Sequence, residues 1–204
     1  MKHNLRLTYS AMLIMIGYSA AFTVLPVVLS ELIREFSLSG GKEGMMSSFV
    51  SLGALSALLS STYLQGRVRK SIVITLAGIS SSAILLIIGF SSNITLILPC
   101  FFLQGFFLGG LLDAYINSFI VDLNPNNSGR YVSMLHAWFG TGGLIAPVLF
   151  QRAMLNYGWQ SVYILGAAFM LFLMMPFTIA GIQAGRESVK VVKKDTKLTL
   201  NAIK

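Results

Sequence analysis

Five stretches of the chain contain no Asp, Glu, Lys or Arg: Leu7–Ser30, Gly44–Gly66, Ser71–Leu112, Tyr131–Gln151 and Ala153–Gly185, of 24, 23, 42, 21 and 33 residues. An apolar run of about 18 residues or more can cross a hydrocarbon core as a helix, so each stretch predicts at least one membrane span. The 42-residue stretch would reach about 63 Å as a helix, twice a core of roughly 30 Å. It must therefore hold one helix and most of a second. Ser91-Ser92-Asn93 is its only cluster of turn formers. The pattern predicts six spans at about 6–30, 44–65, 71–90, 94–121, 132–153 and 159–183, an all-α membrane protein. The bundle occupies 1–185, and 186–204 reads as a basic cytoplasmic tail or linker.

Composition agrees with this pattern. Hydrophobic residues make up 55% of the 204 positions and charged residues 11%, against roughly 25% charge in a soluble domain. Disorder is excluded, because disordered chains are charge-rich and apolar-poor. The net charge of +8 would suit a nucleic-acid partner, but its placement points to topology instead. With six spans, both termini share a side with the second-to-third and fourth-to-fifth loops. That side carries Lys2, Arg6, Arg67, Arg69, Lys70, Arg130 and six basic residues of the tail, whereas Arg34, Lys42 and Arg152 lie opposite. Twelve against three predicts both ends in the cytoplasm of a cell-membrane protein, with no nucleic-acid partner. No cleavable signal peptide is expected, since the first apolar run is too long and no small-residue cleavage site follows it.

The spans differ in character. The first and fourth carry the polar exceptions: Tyr9, Ser10, Tyr18, Ser19 and Thr23 on one, Gln104, Asp113, Tyr115 and Asn117 on the other. The second and fifth are rich in small residues. On the second, Gly44, Ser48, Ser56 and Ser60 form one row and Gly53, Ala57 and Ser61 another, while Gly140, Gly142, Gly143 and Pro147 mark the fifth. Small residues let helix backbones approach where lipid supplies no hydrophobic drive, so Gly53, Gly140, Gly143 and Pro147 are candidate packing positions. The third and sixth are the most uniformly apolar and read as lipid-facing supports. This order (polar, small, apolar, then the same again) predicts a 3+3 inverted repeat of the kind found in secondary transporters.

Asp113 is the one acidic residue placed well inside a span. An intramembrane carboxylate is costly unless it faces protein or water, which makes it a functional candidate. Because burial disfavours its charged form, Asp113 is a candidate for loading and releasing a proton. A static interhelical hydrogen bond is the other reading. Asn117 lies one turn on and about 40° round the helix, with Gly109 one turn before. Asn117, Gln104, Tyr18 and Tyr115 are candidate solute contacts, and His136 is a second titratable group that reads more simply as a packing residue.

Other chemistry finds no support in the sequence. One cysteine, Cys100, provides neither a disulfide nor a cysteine metal cluster. Gly140-Thr-Gly142-Gly143 lacks the last glycine of a dinucleotide loop. Asp122-Leu-Asn124-Pro-Asn126 has Asn127 and Ser133 where a calcium loop needs Gly and Glu. No phosphate-binding loop, histidine metal pair or nucleophile–base set is found. Neither an enzymatic activity nor a cofactor is expected.

The run Leu112-Asp113-Ala114-Tyr115-Ile116-Asn117, with Asp122-Leu123-Asn124-Pro125 and Ser128-Gly129-Arg130, resembles the fourth helix and following loop of the major facilitator superfamily, more narrowly its fucose-permease-like branch. His136-Ala-Trp-Phe139-Gly140-Thr-Gly142-Gly143-Leu-Ile-Ala-Pro147 resembles that branch's fifth helix, and Gly158-Trp159-Gln160 the opening of its sixth. The resemblance implies the N-terminal six-helix half of a major facilitator fold, with the first and fourth helices lining a cavity. It also implies proton coupling at the Asp113 position, with an Asn four residues later. Two positions depart from the pattern. Fucose permeases carry an acid four residues before a first-helix proline; counted back from Pro26, this chain has Phe22. The gating loop, usually Asp-Arg-x-Gly-Arg-Lys, is Gly66-Arg67-Val68-Arg69-Lys70-Ser71 here, keeping its bases without the Asp and Gly.

These readings predict a secondary transporter, or its N-terminal half, working by alternating access with proton coupling on a sugar or other small polar solute. Its partners would be the lipid bilayer, the solute, the proton and a second six-helix half. That half would be a separate chain, a missing C-terminal half or a second copy, because a face bearing Asp113 and Asn117 should not be left against lipid. A transport-incompetent assembly subunit is the alternative.

Overall fold

In the computed structural model, residues 2–38, 41–64 and 66–202 are described, with side chains over 5–38, 41, 44–64 and 66–181. Six long helices run α1 Lys2–Glu35, α2 Lys42–Leu64, α3 Lys70–Phe90, α4 Ile94–Leu123, α5 Ser128–Tyr157 and α6 Trp159–Ala202. All six contain a segment long and apolar enough to cross a membrane, which for α6 is Trp159–Gly181. Most helices outrun the charge-free windows that announced them. Basic and acidic ends such as Arg6 and Glu35 remain helical because their long side chains reach the polar boundary while the backbone keeps its own hydrogen bonds.

The turns follow from local chemistry. Asn93 caps α4, its Oδ1 accepting the Thr95 N–H at 2.9 Å. Gly158, at φ 81°, is the single residue between α5 and α6, a left-handed position that suits glycine. A short 3-10 turn, Pro125–Asn127, joins α4 to α5.

Contacts between ends fix the topology. Asn124 Nδ2, just past α4, donates to Thr8 Oγ1 of α1 at 3.1 Å, and Lys70 at the start of α3 reaches Asp122 near the end of α4. At the other end, Phe36 after α1 packs edge-on against Trp159 at the start of α6, ring centres 6.1 Å apart. Laterally, α1 packs on α5 and α6, α4 on α2 and α3, and α3 on α6. Exchanging helices one, two and three for four, five and six maps α1–α5 onto α4–α2, α1–α6 onto α4–α3, and α3–α6 onto itself. The bundle therefore has the 3+3 repeat in its packing, and three spans being an odd number, the second triplet is inverted relative to the first.

Closest approach occurs where glycine removes a side chain. A Cβ on Gly53 of α2 would stand 2.0 Å from the Phe102 carbonyl oxygen of α4. One on Gly105 would stand 1.9 Å from the Val50 carbonyl oxygen, and one on Gly110 2.2 Å from Ala57 Cβ. The matching α5–α1 contact is at Gly142, where a Cβ would lie 2.6 Å from the Ile16 carbonyl oxygen, with Gly143 beside Ser19 Oγ. Gly140, read from the sequence as a packing position, faces open space instead, and Pro147 is half-buried. Gly140 is two residues from Gly142, about 200° round the helix, so the two cannot face the same neighbour.

The serine row of α2 also behaves differently from its spacing. Ser48, Ser56 and Ser60 donate to the carbonyls of Gly44, Leu52 and Ser56 at 2.7–2.8 Å, four residues back on the same helix. A hydroxyl at an apolar surface finds its acceptor locally, so this row is not the seam. The third helix is more than an outer support: it buries Ile74, Leu85 and Ile88 in the core while exposing Leu76, Ile79 and Phe90.

Candidate functional site

The middle of α4 departs from α-helical geometry. Gly105–Leu112 winds as a wider π-helix, and regular α-helix resumes at Asp113. Such segments are rare and frequent at functional sites. Here the widened turn coincides with the glycines at the α2 crossing, so the backbone is pinned to α2 immediately before it presents the carboxylate.

Asp113 is half-buried, and its Oδ1 accepts from Asn117 Nδ2 at 3.2 Å; the same amide also donates to the Asp113 carbonyl at 2.9 Å. The carboxylate thus has a local hydrogen bond, and no Lys or Arg pairs with it among the described residues. Tyr18 of α1 and the exposed His136 of α5 are the titratable groups of other helices that share its electrostatic field. Tyr18 is buried against Phe139 of α5 and Phe22 of α1, at ring distances of 5.1 and 6.1 Å. Phe22 and Phe139 lie 6.4 Å apart and complete an aromatic wall across the α1–α5 contact. Asp113 and Asn117 are thus bonded to each other across one turn of α4, and Tyr18 belongs to the aromatic cluster between α1 and α5.

Two other candidate contacts lie elsewhere. Tyr115 is buried and donates its hydroxyl to the Ser61 carbonyl of α2 at 3.2 Å, about 200° round α4 from Asp113. Gln104 is buried, with Nε2 donating to Ser81 Oγ of α3 at 2.9 Å. In this conformation both carry interhelical hydrogen bonds.

The basic loop divides its residues as well. Arg67 and Arg69 are exposed, Arg69 preceding the first turn of α3. Lys70 points inward: its Nζ donates to Ser118 Oγ at 2.5 Å and pairs with Asp122 Oδ2 at 2.6 Å. Although the loop lacks an acid of its own, a charge pair forms between α3 and α4. Asp122 and Ser118 were missing from the sequence-derived candidates. They lie 52 and 48 residues from Lys70, and periodicity within one helix carries no signal for such a partner. Phe22 stands out in the sequence only as the residue at the acid position of the fucose permeases, and its packing with Phe139 had no signal, since in an apolar span an aromatic residue looks like any lipid-facing one.

Six long apolar helices packed as a 3+3 repeat, the fourth carrying a half-buried carboxylate, define a polytopic helical membrane protein. Residues 9–200 match the family model of the Major Facilitator Superfamily, and the chain belongs to that superfamily. It is 24% identical over 144 residues to a niacin transporter of Acinetobacter baylyi, an alignment covering 70% of this chain and 33% of that protein. The chain thus spans about a third of the length of the curated relative it matches.

Proposed function

We propose that this chain forms the N-terminal half of an alternating-access secondary transporter, with both ends in the cytoplasm, that couples movement of a small polar solute to a proton carried by Asp113. The observation that carries the reading is the Asp113–Asn117 pair: a carboxylate within a span, hydrogen-bonded to Asn117 and with no Lys or Arg paired to it among the described residues. Such a group can be neutralised by a proton as the passage closes and release it when water returns.

Burial across the bundle supports a second six-helix half. Only 17% of the apolar window of α2 and of α5 is buried, against 56% for α1 and α3. The two least covered helices flank the face on which α1 and α4 meet. A partner laid across them would enclose Asp113, whether supplied by another chain, by further sequence or by a second copy. The Lys70–Asp122 pair supports a gate at the cytoplasmic end, with Arg67 and Arg69 beside it for contact with that partner. The fucose-permease-like run at 109–147 favours a sugar; the similarity to a niacin transporter favours a small aromatic acid.

Reconstitution with and without a candidate second half, under an imposed pH gradient, tests the reading against a panel of sugars and nicotinate. Uphill uptake should require the gradient and disappear in Asp113→Asn, while exchange of solute persists. Gradient-driven uptake unchanged in Asp113→Asn would remove the coupling assignment.

A further inference from the structure

We propose that the groove between α1 and α6, at the end of the bundle where α1 begins, seats an anionic phospholipid with its phosphate on Arg6 and one acyl chain lying between the two helices. The groove measures about 610 Å³. Its α1 wall is Leu5, Arg6, Tyr9 and Leu13, and its α6 wall is Pro176 and Ile179. Ser10 and Ala180 are the buried members of the lining, and their small side chains leave space that larger ones would fill.

The groove opens away from the aromatic cluster of α1. Tyr9 lies nine residues before Tyr18, which places it about 180° round the helix, and about 140° from Phe22. On α6, Ile179 shares a stripe with Phe172 and Phe169, exposed apolar residues seven and ten positions back. The α1 stripe continues one turn deeper at Ile16, which with Leu165 and Phe169 of α6 and Leu149 of α5 lines a second apolar groove of about 280 Å³. The two grooves follow one another along α1 and form an extended apolar path below a single cation.

Charge selects the occupant. Arg6 is exposed, is the one charged residue among those lining either groove, and has no acidic partner among the described residues. An amphiphile with an anionic head and an apolar tail matches that distribution, whereas an apolar helix from another chain would leave the guanidinium without a counter-charge. The planar guanidinium donates to two phosphate oxygens at once. Tyr9, half a side chain in the open one turn deeper, has an amphipathic ring suited to headgroup level. The binding requires neither proton coupling nor a second half, so it stands apart from the transporter reading.

The full chain carrying Tyr9→Trp, Trp138→Phe and Trp159→Phe has its sole tryptophan at position 9. It is reconstituted in phosphatidylcholine vesicles containing phosphatidylglycerol or phosphatidylcholine with brominated acyl chains, which quench tryptophan on contact. Brominated phosphatidylglycerol should quench at about 5-fold lower mole fraction than brominated phosphatidylcholine, as expected for one basic side chain acting on an anionic lipid. Arg6→Gln should remove that preference and Arg6→Lys should keep it. Arg130→Gln, at an exposed basic residue of the same end, should leave it unchanged. A thermal melt identifies any variant that has unfolded. If the tryptophan substitutions prevent folding, the same Arg6 and Arg130 variants are made in the otherwise native chain, and the phosphatidylglycerol each retains through detergent exchange is counted by mass spectrometry. Equal affinity for the two lipids, or a loss in Arg130→Gln as large as in Arg6→Gln, would overturn the proposal. Quenching by neither lipid would mean that protein covers the groove, and would overturn it as well.

Discussion

The α2–α4 and α1–α5 contacts are counterparts in the repeat, yet they are built differently. Between α2 and α4, glycine appears on both helices, and added Cβ atoms at Gly53, Gly105 and Gly110 would meet the neighbour at 2.0, 1.9 and 2.2 Å. The backbones are pressed together at several levels. Between α1 and α5 the close approach is essentially at Gly142, with a nearest distance of 2.6 Å, and beside it lies the Tyr18–Phe139 ring contact. Side-chain packing therefore does on α1–α5 what backbone contact does on α2–α4. Asp113 belongs to the tightly held helix, whereas Tyr18 belongs to the ring-packed pair. The carboxylate's helix is held by backbone contact and the aromatic cluster by side chains, and rings can change rotamer where backbones cannot part without losing their fit.

Substitutions can break that contrast. Gly105→Val should have the largest effect: its side chain must displace the Val50 backbone, at a cost of about 3 kcal/mol or more. Detergent-solubilised protein would melt far lower or fail to elute as a single species. Gly142→Ala should cost less, about 1–3 kcal/mol, because fewer levels of contact depend on it; a melting point as low as that of Gly105→Val would erase the difference between the seams. Lys70→Met should lower stability by no more than about 1 kcal/mol, since Asp122 is 59% exposed and an exposed pair contributes little. Its expected consequence is a shift in which side of the membrane admits solute, read from uptake in oriented vesicles. Gly140→Ala should be nearly silent, within about 1 kcal/mol of the native chain, as its Cβ meets nothing within 4 Å. A large loss there would mean that the exposed face of α5 is covered.

The elements legible in the sequence were those set by single-helix properties. Six spans follow from runs without charge, because a helix in lipid must be long and apolar whatever it packs against. The polar character of the first and fourth spans likewise marked Asp113 and Asn117. Properties that depend on two helices were harder to read. Spacing made a seam of the α2 serines, but their hydroxyls are satisfied within α2; the neighbouring Gly53–Ala57 row makes the seam. Gly140 and Gly142 look alike in the sequence and face opposite ways. The Gln104–Ser81 and Lys70–Asp122 bonds join residues 23 and 52 positions apart, distances at which only the fold brings partners together. The π-helical segment before Asp113 had no separate signal, since its three glycines would also suit an ordinary helix crossing.

The account depends on water reaching the side chain at position 113. Asp113→Cys in a Cys100→Ser background, treated in native membrane with a charged, membrane-impermeant thiol reagent, tests this directly. Phe172→Cys, on the exposed apolar face of α6, provides the hydrocarbon reference. Labelling at 113 should be much faster than at 172 and slow when solute is added. Labelling no faster than at 172, with both chains folded, would put the carboxylate against lipid and contradict the passage.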